Sequence, residues 1–304
     1  MSQKHDVEFL GEGQVRLRAW LFVPDGAGPF PAISMAHGYA GSREHGLERY
    51  AQRFVQAGFV VLVHDHRNTG ASDGVPRGDV DPWQQISDWR RALSFLETRA
   101  EVDPNCIGIW GTSYAGGHVL VLAATDRRIK AVVSQVPTAS GYEQGLRRVS
   151  PDAVAALEQA FVEDERAQAK GEAPRVMKVV SSDPSEPAAY RSPDAVAFYL
   201  QAIPDGTWQN VVTVRSNRAA RHYEPGVWAG RISPTPLLMV VATHDLLTIT
   251  SLELDAFERA LQPKSLVLIP GGHFDPYTTQ FETSSSAACD WFVAHLSKSR
   301  EAAP

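Results

Sequence analysis

The chain has 304 residues, 43% hydrophobic and 21% charged, with a formal net charge of −6. That length accommodates one large domain, or one domain with an insertion, around a core of useful size. The acidic balance, without a run of Lys or Arg, excludes a nucleic-acid or anionic-membrane partner, and no apolar stretch reaches the length of a membrane span.

The first residues, Met1 to Asp6, carry no apolar run behind a basic start, so no signal peptide is expected and the reading is a cytoplasmic protein. Residues 7–24 alternate loosely (Val7, Phe9, Val15, Leu17, Ala19, Leu21, Val23) around a turn at 11–14, which predicts an antiparallel hairpin at a sheet edge. A third strand, 30–36, ends at His37-Gly38-Tyr39. Leu47, Tyr50, Ala51, Phe54 and Val55 recur at helical spacing, and Gly58 closes that helix. Residues 59–63 are continuously apolar, as in strands buried on both faces.

A glycine-rich loop, 64–81, leads to Pro82, which suits the first turn of a helix reaching about Arg99. The short apolar strand 106–110 follows, then Gly111-Thr112-Ser113-Tyr114-Ala115-Gly116-Gly117, then a buried helix over 117–124. Another strand spans 129–134. Strand and helix alternate throughout, which predicts an α/β fold with a doubly wound, mostly parallel sheet.

From 137 to 232 the alternation stops. Residues 152–170 form an amphipathic helix, after which the apolar residues are scattered aromatics: Tyr190, Phe198, Tyr199, Trp208, Tyr223 and Trp228. The expected organisation is a core domain of residues 1–136 and 233–304, with 137–232 as an inserted, mainly helical cap. The pattern resumes with a strand at 236–242, a helix at 249–261, a strand at 265–269 and a last helix over 279–296. Cys106 and Cys289 lack metal-type spacing and read as reduced, buried thiols.

The stretch around Ser113 carries the strongest chemical signal. A strand that reverses into a helix within a few residues forces its apical residue into strained backbone angles and needs small neighbours. The turn pushes the Ser113 hydroxyl out at the sheet edge, as in a nucleophile elbow. Other strand ends carry His37-Gly38-Tyr39, Asp245 and His273, and ligands of open α/β sheets meet those ends.

The glycine-flanked serine, the His37-Gly38 pair, Gly271-Gly272-His273 and the order Ser113, Asp245, His273 resemble the α/β-hydrolase family along nearly the whole chain. In detail the chain is similar to esterase-type members with a long cap, near the dienelactone-hydrolase and serine-aminopeptidase-like branches. Ala115 stands where the family's motif has its second glycine. The resemblance implies a catalytic triad of Ser113 as nucleophile, His273 as base and Asp245 as orienting acid. The backbone N–H groups of Tyr39 and Tyr114 would form the oxyanion hole. Asp275 and Asp255 stay open as substitutes for Asp245.

The expected activity is hydrolysis of a carboxylic ester, lactone or thioester through an acyl-serine, without metal or other cofactor. The partner is a small-molecule ester-type substrate. Tyr190, Phe198, Tyr199, Trp208 and Trp228 are candidates to contact its apolar part. His37 is a further candidate there, though a brace for its own loop is the stronger reading. His64, Asp65, His66 and Asp79 read as a structural hydrogen-bond network rather than a metal site, and Arg147 and Arg148 as a solvated pair. The same triad would also serve an acyltransferase or an amidase or peptidase, and a binding module on this fold is the alternative from another class. The oligomeric state, a homo-oligomer included, stays open.

Overall fold

The computed structural model describes residues 2–297. Its elements follow in chain order as β1 (Gln3–Leu10), β2 (Arg16–Val23), β3 (Phe30–Ala36), α1 (Leu47–Gln56), β4 (Val60–His64), α2 (Pro82–Glu97), β5 (Val102–Thr112), α3 (Tyr114–Thr125) and β6 (Ile129–Gln135). Next come α4 (Gly141–Arg148), α5 (Pro151–Gln168), β7 (Val176–Val180), β8 (Ala188–Tyr190), α6 (Pro193–Tyr199), β9 (Val212–Thr213) and α7 (Val214–Arg221). The chain closes with β10 (Leu237–Ala242), α8 (Thr250–Arg259), β11 (Lys264–Ile269) and α9 (Phe281–Leu296).

Eight strands form one sheet in the order β1-β2-β4-β3-β5-β6-β10-β11. The hairpin of β1 and β2 runs antiparallel, and every pair from β4 to β11 is parallel. Successive side chains on a strand point to opposite faces. In β10, Leu237, Met239 and Val241 therefore enter one core cluster, while Leu238 and Val240 enter the other. Helices α2, α3 and α8 cover the first face, and α1 and α9 cover the second. This two-sided burial is why the parallel strands read as uninterrupted apolar runs.

Side-chain caps open α2, α4 and α7. The carboxylate of Asp81 accepts the N–H groups of Trp83 and Gln84 at the start of α2, where Pro82 needs no donor partner. Helix α3 is apolar all round, since ten of its residues are buried between sheet and neighbours.

Between β6 and β10 lie four helices and a small three-stranded sheet, ordered β8-β7-β9, that the scattered aromatic pattern did not announce. Its strands are two to five residues long, too short for a period to register. These elements are tied to the core by polar contacts. Val80 N–H donates to Ser216 Oγ at 2.7 Å, and Asp79 accepts from Thr213 Oγ1 at 2.8 Å and from Arg215 at 2.6 Å.

Candidate active site

Ser113 stands alone between β5 and α3, with φ 58° and ψ −119°. That left-handed φ is costly for a non-glycine residue. It is held from both sides: Ser113 N–H donates to the Gln135 carbonyl at 2.8 Å, and the Ser113 carbonyl accepts from Thr138 N–H at 2.9 Å. A side chain at Gly111 would collide with the carbonyl oxygen of Ala115, so the turn requires a glycine before the serine. Ala115, two residues after the serine, is buried inside α3.

The imidazole of His273, on the loop after β11, lies with Nε2 3.0 Å from Ser113 Oγ and Nδ1 2.7 Å from Asp245 Oδ2. Both His273 and Asp245 are 2% exposed, so their interaction acts in a dry setting. Burial pushes the Asp245 carboxyl up, but the His273 charge and the hydrogen bonds from His273 and Thr248 outweigh it and hold the group below its ordinary range. Its other oxygen accepts the N–H groups of Leu247 and Thr248 at 2.8 and 2.9 Å, which fix the carboxylate plane.

The substitutes for Asp245 lie elsewhere in the network. Asp275 accepts from Gly272 N–H at 2.7 Å and from the Thr279 hydroxyl, closing its own turn. Asp255 is exposed on α8.

The loop after β3 lies against the serine. A Cβ on Gly38 would sit 2.8 Å from Ser113 Cβ, so only glycine lets the Gly38–Tyr39 peptide approach this closely. His37 orients that peptide. Its Nε2 accepts from His66 N–H at 3.2 Å, leaving the proton on Nδ1, which donates to the Gly38 carbonyl at 2.9 Å. Burial pushes the His37 pKa down, against the pull of Asp65. The brace reading of His37 thus has a geometry, with both ring nitrogens engaged by the protein. The N–H groups of Tyr39 and Tyr114, the first residue of α3, point to no protein acceptor among the described residues.

Of the aromatic candidates, Phe198 and Tyr199 line a cavity of about 20 Å³ beside Ser113, together with His45, Leu47, Phe274 and Tyr277. Trp208 donates its Nε1–H to the Ala40 carbonyl at 2.7 Å and packs edge-on against His45. Tyr190 stacks on Tyr199 with ring centroids 5.9 Å apart. Trp228 does not join this group. It lies in the turn 225–231, packed on the core beside the Arg231 guanidinium, because that turn sits on α3 and α8. His45, Phe274 and Tyr277 were missed in the sequence, since neither periodicity nor spacing marks a loop residue that meets the site from outside. Arg148 is not simply solvated: its guanidinium lies 4.8 Å from the Tyr190 ring.

Of the expected hydrogen-bond network, Asp65 and Asp79 take part and the rings of His64 and His66 do not. Among the described residues their ring nitrogens have no hydrogen-bond partner, and the rings pack edge-on among His37, Trp89 and His118. Burial pushes His64 down to about 3, so it stands as a neutral aromatic ring. Asp65 instead accepts from Arg43 and Ala71 N–H groups, at 2.8 and 2.9 Å. Among the described residues no three His, Cys, Asp or Glu side chains converge as a metal site requires, and no helix is long and apolar enough to cross a membrane. Cys289 is half-buried rather than buried. A larger hollow of about 630 Å³ opens at the amino-terminal ends of the strands, lined by Pro24, Phe30, Val55 and Leu296, far from Ser113.

Residues 12–275 match the model of the X-Pro dipeptidyl-peptidase (S15) family. The chain is 35% identical over 241 residues to the quorum-quenching protein AidA of Acinetobacter baumannii, covering 79% of this chain and 78% of that one. It is 30% identical to a polyketide transferase of Stachybotrys chlorohalonatus, covering 90% of each chain. The crystal structure of the α/β-hydrolase GrgF from Penicillium superposes with a TM-score of 0.84 at 27% identity, covering 97% of this chain and 99% of that one.

Proposed function

Because the chain belongs to the X-Pro dipeptidyl-peptidase (S15) family of α/β-hydrolases, we propose that it is a serine hydrolase that opens an ester, lactone or thioester through an acyl-Ser113 intermediate. The observation that carries this reading is the continuous path from Ser113 Oγ to His273 Nε2, 3.0 Å, and from His273 Nδ1 to Asp245 Oδ2, 2.7 Å. His273 takes the Ser113 proton as Oγ attacks the acyl carbon, then gives it to the leaving alcohol or thiol. Asp245 holds the ring and stabilises its imidazolium. The N–H groups of Tyr39 and Tyr114 receive the oxyanion, each worth about 3 kcal/mol in the transition state. Water, activated by the same imidazole, releases the acid.

The substrate's acyl group is apolar, since Phe198, Tyr199, Phe274 and Leu47 surround the serine. A free peptide amino terminus needs a carboxylate to hold its ammonium. The cavity lining contains none, which favours an acyl ester or thioester over an X-Pro peptide. A cavity of about 20 Å³ holds roughly one water molecule, so substrate enters only when Phe198 and Tyr199 move. The segment 137–232 is accordingly a cap. The chain's likeness to a polyketide transferase supports a second reading, in which an alcohol or amine intercepts the acyl-serine.

The test is Ser113→Ala, assayed on p-nitrophenyl esters of graded acyl length with a fluorophosphonate label. Loss of turnover and labelling with an unchanged circular dichroism spectrum supports the reading, and retained turnover overturns it. Product analysis with added alcohols and amines separates hydrolysis from transfer.

A further inference from the structure

We propose that Glu253 is a neutral carboxylic acid that holds the Thr248 hydroxyl against Asp245, extending the array at Ser113 by two residues. The inference rests on the serine-hydrolase reading above. Glu253 lies on α8 and is fully buried. The Thr248 hydroxyl sits 2.6 Å from Glu253 Oε1, 2.8 Å from Asp245 Oδ2 and 3.2 Å from His273 Nδ1.

The proton count decides the arrangement. A threonine hydroxyl carries one proton and cannot donate to two carboxylates at once. Two carboxyl groups joined by one hydroxyl in a dry site cannot both ionise. Asp245 accepts from two backbone N–H groups, from His273 and from Thr248, so the charge rests there. Glu253 has no such company. Among the described residues its buried Oε2 has no hydrogen-bond partner and no cation pairs with the group.

The ionisable groups that face it are Asp245 after β10, His273 after β11, and Tyr277 in the turn that follows. Burial, followed by the Asp245 charge, pushes its carboxyl well above the ordinary range. The proton therefore sits on Oε1, which donates to Thr248 Oγ1, and the Thr248 proton points to Asp245 Oδ2. Glu253 is a positioning residue. Its hydrogen bond to Thr248 Oγ1 leaves the Thr248 proton for Asp245 Oδ2.

Three measurements test this on the full chain, with p-nitrophenyl butyrate as probe. Thr248→Val should lower kcat on the order of ten-fold with KM unchanged, and Thr248→Ser should restore it. Glu253→Gln, whose amide N–H replaces the acid O–H, should lower kcat about three-fold while the acid limb of the kcat/KM profile stays in place. Infrared difference spectra between the wild type and Glu253→Gln at neutral pH should contain the C=O band of a protonated carboxylic acid. A Thr248→Val enzyme with wild-type kcat, an acid limb displaced downward by about half a unit or more in Glu253→Gln, or a missing band overturns the proposal. If the fluorophosphonate does not label Ser113, the hydrolase reading fails, while the infrared band still decides the state of Glu253.

Discussion

The hydroxyl of Tyr199, at the end of α6, donates to the backbone carbonyl of Tyr39 at 2.7 Å. This bond joins the segment between β6 and β10 to the loop whose N–H is proposed to receive the oxyanion. Trp208 makes a parallel contact one residue on, to the carbonyl of Ala40, a non-glycine residue held at φ 50°. The loop's strained conformation is thus maintained in part by side chains about 160 residues away in sequence.

Tyr199→Phe removes one of these bonds and leaves the Tyr39 carbonyl buried and unmet, at a cost of about 1–3 kcal/mol. Ester turnover should fall on the order of ten-fold, mainly in kcat, because the loop loses its set geometry while the apolar lining stays. Steady-state kinetics against acyl length check this. Unchanged kcat would mean that the loop is held without the Tyr199 contact.

Asp245→Asn should abolish most activity, with kcat lower by about 10⁴, since the amide imposes the wrong tautomer on His273. Asp275→Asn should keep kcat within a few-fold and lower the melting temperature, because Asp275 closes the turn at Gly272 rather than touching His273. Parallel assays and thermal melts of the two variants distinguish them.

Gly38→Ala places a methyl group 2.8 Å from Ser113 Cβ. The loop or the serine must shift, so kcat should fall on the order of 100-fold with the fold retained. A crystal structure of the variant would show which of the two gave way.

Stability should fall steeply as pH drops below about 6.5. Burial pushes His45 down to about 4 and His64 and His118 down to about 3. Below the ordinary histidine value the unfolded chain takes up protons that the folded chain refuses, which costs about 1.4 kcal/mol per pH unit for each such residue. Glu253, with its raised pKa, works in the opposite direction above the ordinary carboxylate value and offsets part of one histidine. Urea unfolding between pH 7 and 5 measures the slope, and His64→Leu should flatten it.

Much of this molecule is legible without coordinates. The strands 30–36 and 59–63 read correctly because parallel strands covered on both faces need unbroken apolar runs, and β3 and β4 have them. The hairpin read correctly because Phe9, Leu17, Ala19 and Leu21 stand at alternate positions and enter one core cluster, although β2 is buried on its other face too, through Trp20 and Phe22. The turn at Ser113 was legible because glycine at 111 is a steric demand that only a tight strand-to-helix reversal makes. The small sheet of β7, β8 and β9 was not, because its pairings reach partners as distant as Thr213 from Val176 and follow no internal period.

The sequence alone determined the layered sheet and which strand ends would carry Ser113, Asp245 and His273, because burial and strained turns leave local marks in residue type. The tertiary structure alone decided that His273 faces Asp245 rather than Asp275, that Trp228 lies apart from the serine, and that Thr248 and Glu253 stand behind the acid. Those relations join side chains from separate loops and helices. Hydrogen-bond distances between them are set by packing, which no single segment encodes.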